Sequence, residues 1–145
     1  MKIDFGLTAQ DYAKHRAGFP DSIYEHLAAY SVGERGQRIL DLGTGTGTLA
    51  RGFAARGCRV IGLDPATAML EQANALSRAD RIDAAYIAAR AEAVPIAPVS
   101  IDVVTAGQCW HWFDRAIAAS EATRVLRPGG AIVIAHADRP GRSWV

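Results

Sequence analysis

The sequence holds few cysteines, almost no net charge and no long apolar run, and each shortage removes a class of protein. Only two cysteines occur in 145 residues. Cys58 and Cys109 lie in unrelated contexts without metal-ligand spacing, so neither a disulfide framework nor a zinc site is expected, and a reducing cytoplasm fits best. The 16 basic and 15 acidic residues leave a net charge of +1. They are scattered and nowhere interleave with aromatics, so no nucleic-acid partner is expected. No stretch approaches the roughly 20 apolar residues of a membrane helix. The opening MKIDFGLTAQDY has no apolar core of a signal peptide either, and a soluble, non-exported chain with no membrane partner is expected. What is there is 50 % hydrophobic content over 145 residues, which suits one compact domain spanning 1–145.

Between Thr8 and Tyr30, Tyr12, Phe19, Ile23, Leu27 and Tyr30 recur at roughly helical intervals, and Pro20 with Asp21 suits the start of a second helix. RILDL then reads as a short buried strand that stops at glycines. From Thr48 to Arg56 the pattern is helical, with Gly57 placed as a C-terminal cap. The unit repeats: CRVIGLD reads as a strand and Pro65 as the opening of a helix carrying Ala68, Met69, Ala73 and Leu76. DAAYIAA, IDVVTA and AIVIAHA read as three more strands, RAIAASEATRVL as a helix and RPGG as a tight turn. Strands alternating with helices predict an α/β domain, a doubly wound parallel sheet of five strands with helices on both faces.

The segment ILDLGTGTGTLA concentrates the chemistry. In an open parallel sheet, ligands sit at the carboxyl ends of the strands, where neighbouring connections run to opposite sides. Gly43, Gly45 and Gly47 fall there. Glycine permits positive φ and carries no Cβ, so a bulky ligand can lie against the turn while N–H groups at the helix start face it. A dinucleotide fingerprint needs G-x-G-x-x-G, but position 48 is Thr, which gives G-x-G-x-G. Asp41 adds a carboxylate that would repel a pyrophosphate and could receive an ammonium. Together these disfavour a nicotinamide-dependent oxidoreductase. Asp64 ends the next strand about 20 residues on, where an acid can accept both ribose hydroxyls; a plain helix N-cap is the alternative.

ILDLGTGTGTLA, VIGLDPATAML, IDVVTAGQCWHWFD and RVLRPGGAIVIA, in that order, together resemble the class I S-adenosylmethionine-dependent methyltransferases, in the small-molecule group called methyltransferase type 11. The resemblance runs from about Asp11 to Ala137. The stretches DYAKHRAGFP and WHWFD are further similar to the branch that includes trans-aconitate methyltransferases. The resemblance implies a Rossmann-like sheet, S-adenosyl-L-methionine as cofactor and a small-molecule acceptor. It implies that Asp41, Gly43, Gly45 and Gly47 hold the methionine part and Asp64 the ribose. Where the family commonly has an acid near the adenine, this chain has Arg90, so the adenine contact is expected from backbone at Ala91 or from Glu92. Met69 suits an apolar contact to the adenine, or the core. Gln108 falls where the family borders the transferable methyl group, with ordinary turn polarity as the alternative. Tyr12 and Arg16 are expected to fold over the cofactor, the ring facing the sulfonium, unless Tyr12 packs between helices.

Trp110, His111, Trp112 and Phe113 form the densest aromatic cluster and are expected to shape the acceptor pocket. His111 is the candidate general base, since a His pKa near 6.5 suits proton removal at neutral pH; a pocket-lining structural His is the alternative. Cys109 reads as a packed thiol. The implied reaction is in-line attack of the acceptor on the methyl carbon, resting mainly on alignment and desolvation. A non-catalytic S-adenosylmethionine- or S-adenosylhomocysteine-binding remnant is the competing expectation. Family members continue past the fifth strand to a sheet in the order 3-2-1-4-5-7-6, whereas this sequence ends eight residues after Ala137. The sheet is therefore expected to read 3-2-1-4-5, truncated after the fifth strand, with AIVIA as an edge through which the chain self-associates.

Overall fold

A computed structural model describes residues 19–107 and 109–135, and of His111 the backbone alone. Helix α1 (Asp21–Ala28) follows Pro20, whose φ of −63° suits the start of a helix, and buries Ile23 and Tyr24. Strand β1 (Arg38–Leu42) is buried from its second residue onward, as a central strand covered on both faces must be. Helix α2 (Thr48–Ala55), strand β2 (Arg59–Asp64), helix α3 (Thr67–Ala79) and strand β3 (Ala85–Ala88) continue the alternation. After a long loop come strand β4 (Ile101–Gly107), a single 3₁₀ turn at Trp110–Trp112, helix α4 (Arg115–Val125) and strand β5 (Leu126–Ala135).

All four strand pairings are parallel and the order is β3-β2-β1-β4-β5, as expected. The period-two alternation of β1 sends its side chains to two separate cores. Ile39 packs with Ile23, Tyr24, Leu49, Ala50 and Phe53 of α1 and α2. Leu40 and Leu42 pack with Ala118, Ala122 and Val125 of α4. The connection from β1 through α2 leads to β2 on one side, while β4 lies on the other. The crevice beyond β1 and β4 is thus the switch point at which doubly wound sheets bind ligands.

Tyr24 ties α1 to α2. Its ring meets Phe53 edge-on at 5.1 Å between centroids, carries the Arg56 guanidinium 3.9 Å above it, and lies across Gly52. Only glycine fits at position 52, because a Cβ there would stand 1.8 Å from the Tyr24 hydroxyl oxygen.

Two local expectations are corrected. Pro65 does not open α3, which begins at Thr67 with Ala66 as N-cap. The Asp64 carboxylate accepts the Ala66 N–H at 2.8 Å, and this side-chain turn holds Pro65 and Ala66 outside the helix. RPGG is not a free turn between α4 and β5. It belongs to β5 and forms an irregularity in the pairing with β4, where Ile101 faces Leu126 but Val103 already faces Ala131. Gly129 there has φ of +82°, and a Cβ on Gly130 would stand 2.9 Å from the Asp102 carbonyl oxygen, so bulge geometry requires the glycines. Strand β5 is the outer strand of the sheet among the described residues, with Ile132 and Ile134 40 % and 43 % exposed.

Candidate functional site

A cavity of about 230 Å³ opens at the carboxyl ends of β1, β2 and β4. Two carboxylates form its polar floor. Asp41, near the end of β1, is buried among threonine hydroxyls: Thr105 donates to its Oδ1 and Thr44 to its Oδ2, each at 2.7 Å. Thr105 is its register partner on β4, so one ladder position fixes both groups. Burial pushes the Asp41 carboxyl up to about 6; the two hydroxyl bonds oppose the shift and nearby Asp64 adds to it. Asp64, at the end of β2, accepts the Gly45 N–H at 3.0 Å with Oδ2 and the Ala66 N–H with Oδ1. Burial also raises its pKa, against those two backbone bonds. An ionised carboxylate has about four acceptor positions, so each Asp64 oxygen retains capacity for a further donor.

The three glycines of the bend meet different surroundings. All lie at positive φ, +60°, +59° and +78° for Gly43, Gly45 and Gly47. A Cβ at Gly43 would come 2.8 Å from Cys109 Sγ and 3.1 Å from the Phe113 ring. At Gly47, the N-cap of α2, it would meet the Tyr86 hydroxyl at 2.5 Å. At Gly45 it would meet nothing within 4 Å. Gly45 is therefore the position where the bare backbone faces open space, and it lines the cavity with Gly43. Gly47 is not among the lining residues. Gly62 of β2 supports the same bend from below, since a Cβ there would collide with the Thr44 side chain at 2.6 Å.

Of the other candidate residues, Met69, Ala91 and Glu92 line the cavity with Asp41 and Asp64. Met69 is fully buried, so it is a core side chain and a wall at once. Glu92 Oε2 accepts the Asp114 N–H at 2.9 Å. Arg90, in place of the acid the family commonly has, also lines the cavity, with its side chain 72 % exposed. Tyr12, Arg16, Gln108 and the side chain of His111 lie outside the described residues. His111 shares the 3₁₀ turn with Trp110 and Trp112, and Trp112 and Phe113 line the cavity while Trp110 stacks edge-on to Phe113. Cys109 is a packed thiol: Sγ–H donates to the Leu42 carbonyl at 3.2 Å, and burial drives its pKa up, away from reactivity. Sequence reasoning missed Phe19, Thr44, Pro65 and Gly107 as lining residues. Thr44, Pro65 and Gly107 sit inside the quoted motifs, beside Gly43, Asp64 and Gln108, and were readable there; nothing local to Phe19 signals the site.

A doubly wound sheet with a bare bend after β1 and an acid at the end of β2 is the arrangement at which α/β domains of this class bind ligands. The model of a methyltransferase domain family matches residues 40–134. The chain belongs to this methyltransferase-domain family. It is 34 % identical over 146 residues to an uncharacterized methyltransferase of Mycobacterium bovis, covering 100 % of this chain and 57 % of that protein. To a malonyl-[acyl-carrier protein] O-methyltransferase of Erwinia billingiae it is 36 % identical over 130 residues, covering 89 % and 50 %. The chain thus spans about half the length of these relatives. Among solved structures, a Haemonchus contortus phosphoethanolamine N-methyltransferase in complex with phosphomonomethylethanolamine and S-adenosylhomocysteine superposes with a TM-score of 0.65 at 32 % identity, over 74 % of this chain and 27 % of that one. The YcgJ protein of Bacillus subtilis superposes with a TM-score of 0.69 at 26 % identity, over 76 % and 48 %.

Proposed function

We propose that the chain binds S-adenosyl-L-methionine and transfers its methyl group to a small-molecule acceptor by direct in-line displacement. The observation that carries this reading is the meeting in one cavity of the open bend at Gly45 with two buried carboxylates, Asp41 and Asp64. When bound, the cofactor supplies a methyl group already activated by its sulfonium. Asp64 accepts the ribose hydroxyls with its remaining lone pairs. Asp41 sets a negative potential at the floor that favours the ammonium end. Met69 and Ala91 offer apolar surface to the base. Phe19, Trp112 and Phe113 exclude water from the side on which an acceptor would enter, which strengthens alignment and desolvation as sources of rate. The family resemblance further assigns Gln108 to the border of the methyl group, Tyr12 and Arg16 to cofactor contacts, and His111 to the acceptor pocket as a base or a pocket-lining side chain.

Calorimetric titration with S-adenosylmethionine and S-adenosylhomocysteine, followed by a methyl-transfer assay over a panel of small acceptors, tests this. Binding with turnover is expected. Binding without turnover across the panel identifies a silent cofactor-binding module instead, and tight binding of NADH in place of either ligand returns the oxidoreductase reading. The exposed Ile132 and Ile134 of outer strand β5 support self-association through that edge; a stable monomer in size-exclusion chromatography counts against it.

A further inference from the structure

Part of the aromatic wall of the cavity is carried by a short segment between β4 and α4. It consists of one 3₁₀ turn, Trp110–Trp112, followed by the extended Phe113, too short to be stable by itself. Phe113 nevertheless sits in a defined place, its ring in contact range of Gly43. The next residue, Asp114, is anchored twice. Its side chain caps α4 by accepting the Ile117 N–H at 3.2 Å, and its own N–H donates to Glu92 Oε2 at 2.9 Å. Glu92 comes from the loop after β3, 22 residues away, and its side chain is only 19 % exposed. Its other oxygen lies 3.9 Å from the largely exposed Arg90, too far and too wet to fix it. Among the described residues, the Asp114 N–H is thus the hydrogen-bond donor that holds this carboxylate, and the carboxylate in turn holds the Asp114 backbone.

We propose that Glu92 is a positioning residue: by accepting the Asp114 N–H it clamps the Trp110–Phe113 segment against the bend at Gly43 and so completes the cavity wall. The consequence for ligand affinity rests on the function proposed above, while the clamp itself does not. A charge-assisted bond from a backbone N–H to a carboxylate is stronger than a neutral one, and this one ties together two loops 22 residues apart. The geometry asks for an acceptor oxygen at this position, not for a charge facing the ligand.

The test uses the full chain and needs no ligand for its first arm. Amide exchange at Asp114 and acrylamide quenching of tryptophan fluorescence are compared for wild type, Glu92→Ala and Glu92→Gln. The alanine variant is expected to speed Asp114 exchange about tenfold and to raise quenching, and the glutamine variant, which keeps an acceptor oxygen, to stay within about threefold of wild type. Asp114→Ala and Asp114→Pro both lose the α4 cap, but only proline loses the N–H donor; the φ of −69° at that position accepts it. Glu92→Ala should therefore still raise quenching in the Asp114→Ala background and add nothing in the Asp114→Pro background. In the second arm, S-adenosylhomocysteine affinity should fall about tenfold in Glu92→Ala and recover in Glu92→Gln. Unchanged Asp114 exchange in Glu92→Ala overturns the proposal, as does equal loss of affinity in both Glu92 variants, which marks a direct charge contact with the ligand. If wild type binds no S-adenosylhomocysteine while the exchange and quenching results hold, the clamp stands and the cofactor reading fails.

Discussion

Gly43 and Cys109 share one space: a Cβ on the glycine would stand 2.8 Å from the thiol sulfur, which itself donates to the carbonyl of Leu42. The first glycine of the bend is thus required by the protein's own packing, and the same holds for Gly47 beneath Tyr86. Of the three, only Gly45 has open space where a Cβ would stand. Substitution should separate these reasons. Gly45→Ala should cost only the strain of a left-handed residue, about 1–2 kcal/mol, while weakening cofactor binding. Gly43→Ala and Gly47→Ala carry the same strain plus a collision, about 1–3 kcal/mol more. Urea unfolding of the three variants gives the order, and a Gly45→Ala chain as unstable as the other two contradicts the assignment.

Asp41 should make stability depend on pH in the direction opposite to a paired surface acid. Its folded pKa of about 6 lies above the ordinary value of 3.8. The folded state therefore holds the proton more tightly, so its contribution is full below pH 3.8 and is lost as pH rises through 6. A shift of two units corresponds to about 3 kcal/mol. Asp41→Asn retains an amide able to pair with the Thr44 and Thr105 hydroxyls and removes the buried charge. It should raise stability at pH 7 by about 1–3 kcal/mol and flatten the profile between pH 4 and 7. Denaturant midpoints across that range check it; a variant less stable than wild type at pH 7 rules the argument out.

Asp64 should separate folding from binding. Asp64→Ala strands the Gly45 and Ala66 N–H groups and should cost about 1–3 kcal/mol of stability. Asp64→Asn keeps a carbonyl acceptor but offers the ribose a weaker, uncharged partner, so stability should fall less while S-adenosylhomocysteine affinity falls at least about tenfold. Calorimetry on the asparagine variant decides: undiminished affinity would remove Asp64 from the site.

The strands and their parallel order were legible because RILDL, VIGLD and IDVVTA are apolar runs bounded by glycine, proline or acid, and such punctuation is local. The bend at Gly45 and the acid at Asp64 were legible for the same reason. Contacts made across the fold were not. Thr105 lies 64 residues from the Asp41 carboxylate it bonds, and Gly62 is dictated by the side chain of Thr44 above it; neither leaves a mark in its own neighbourhood. RPGG misled because proline and glycine signal a turn, whereas here they accommodate a shift in pairing between β4 and β5. Glu92 was readable as a cavity residue, but its bond to Asp114 depends on how the loop after β3 meets the start of α4.

The central claim is that the bend at Gly45 and the acid at Asp64 seat an adenosyl group. A crystal structure of the full chain grown with saturating S-adenosylhomocysteine measures this directly. The account predicts the ribose hydroxyls within hydrogen-bond distance of the Asp64 carboxylate and the nucleoside lying against the bare backbone of Gly45. A cavity without the nucleoside under those conditions, or a nucleoside bound elsewhere on the protein, would contradict it.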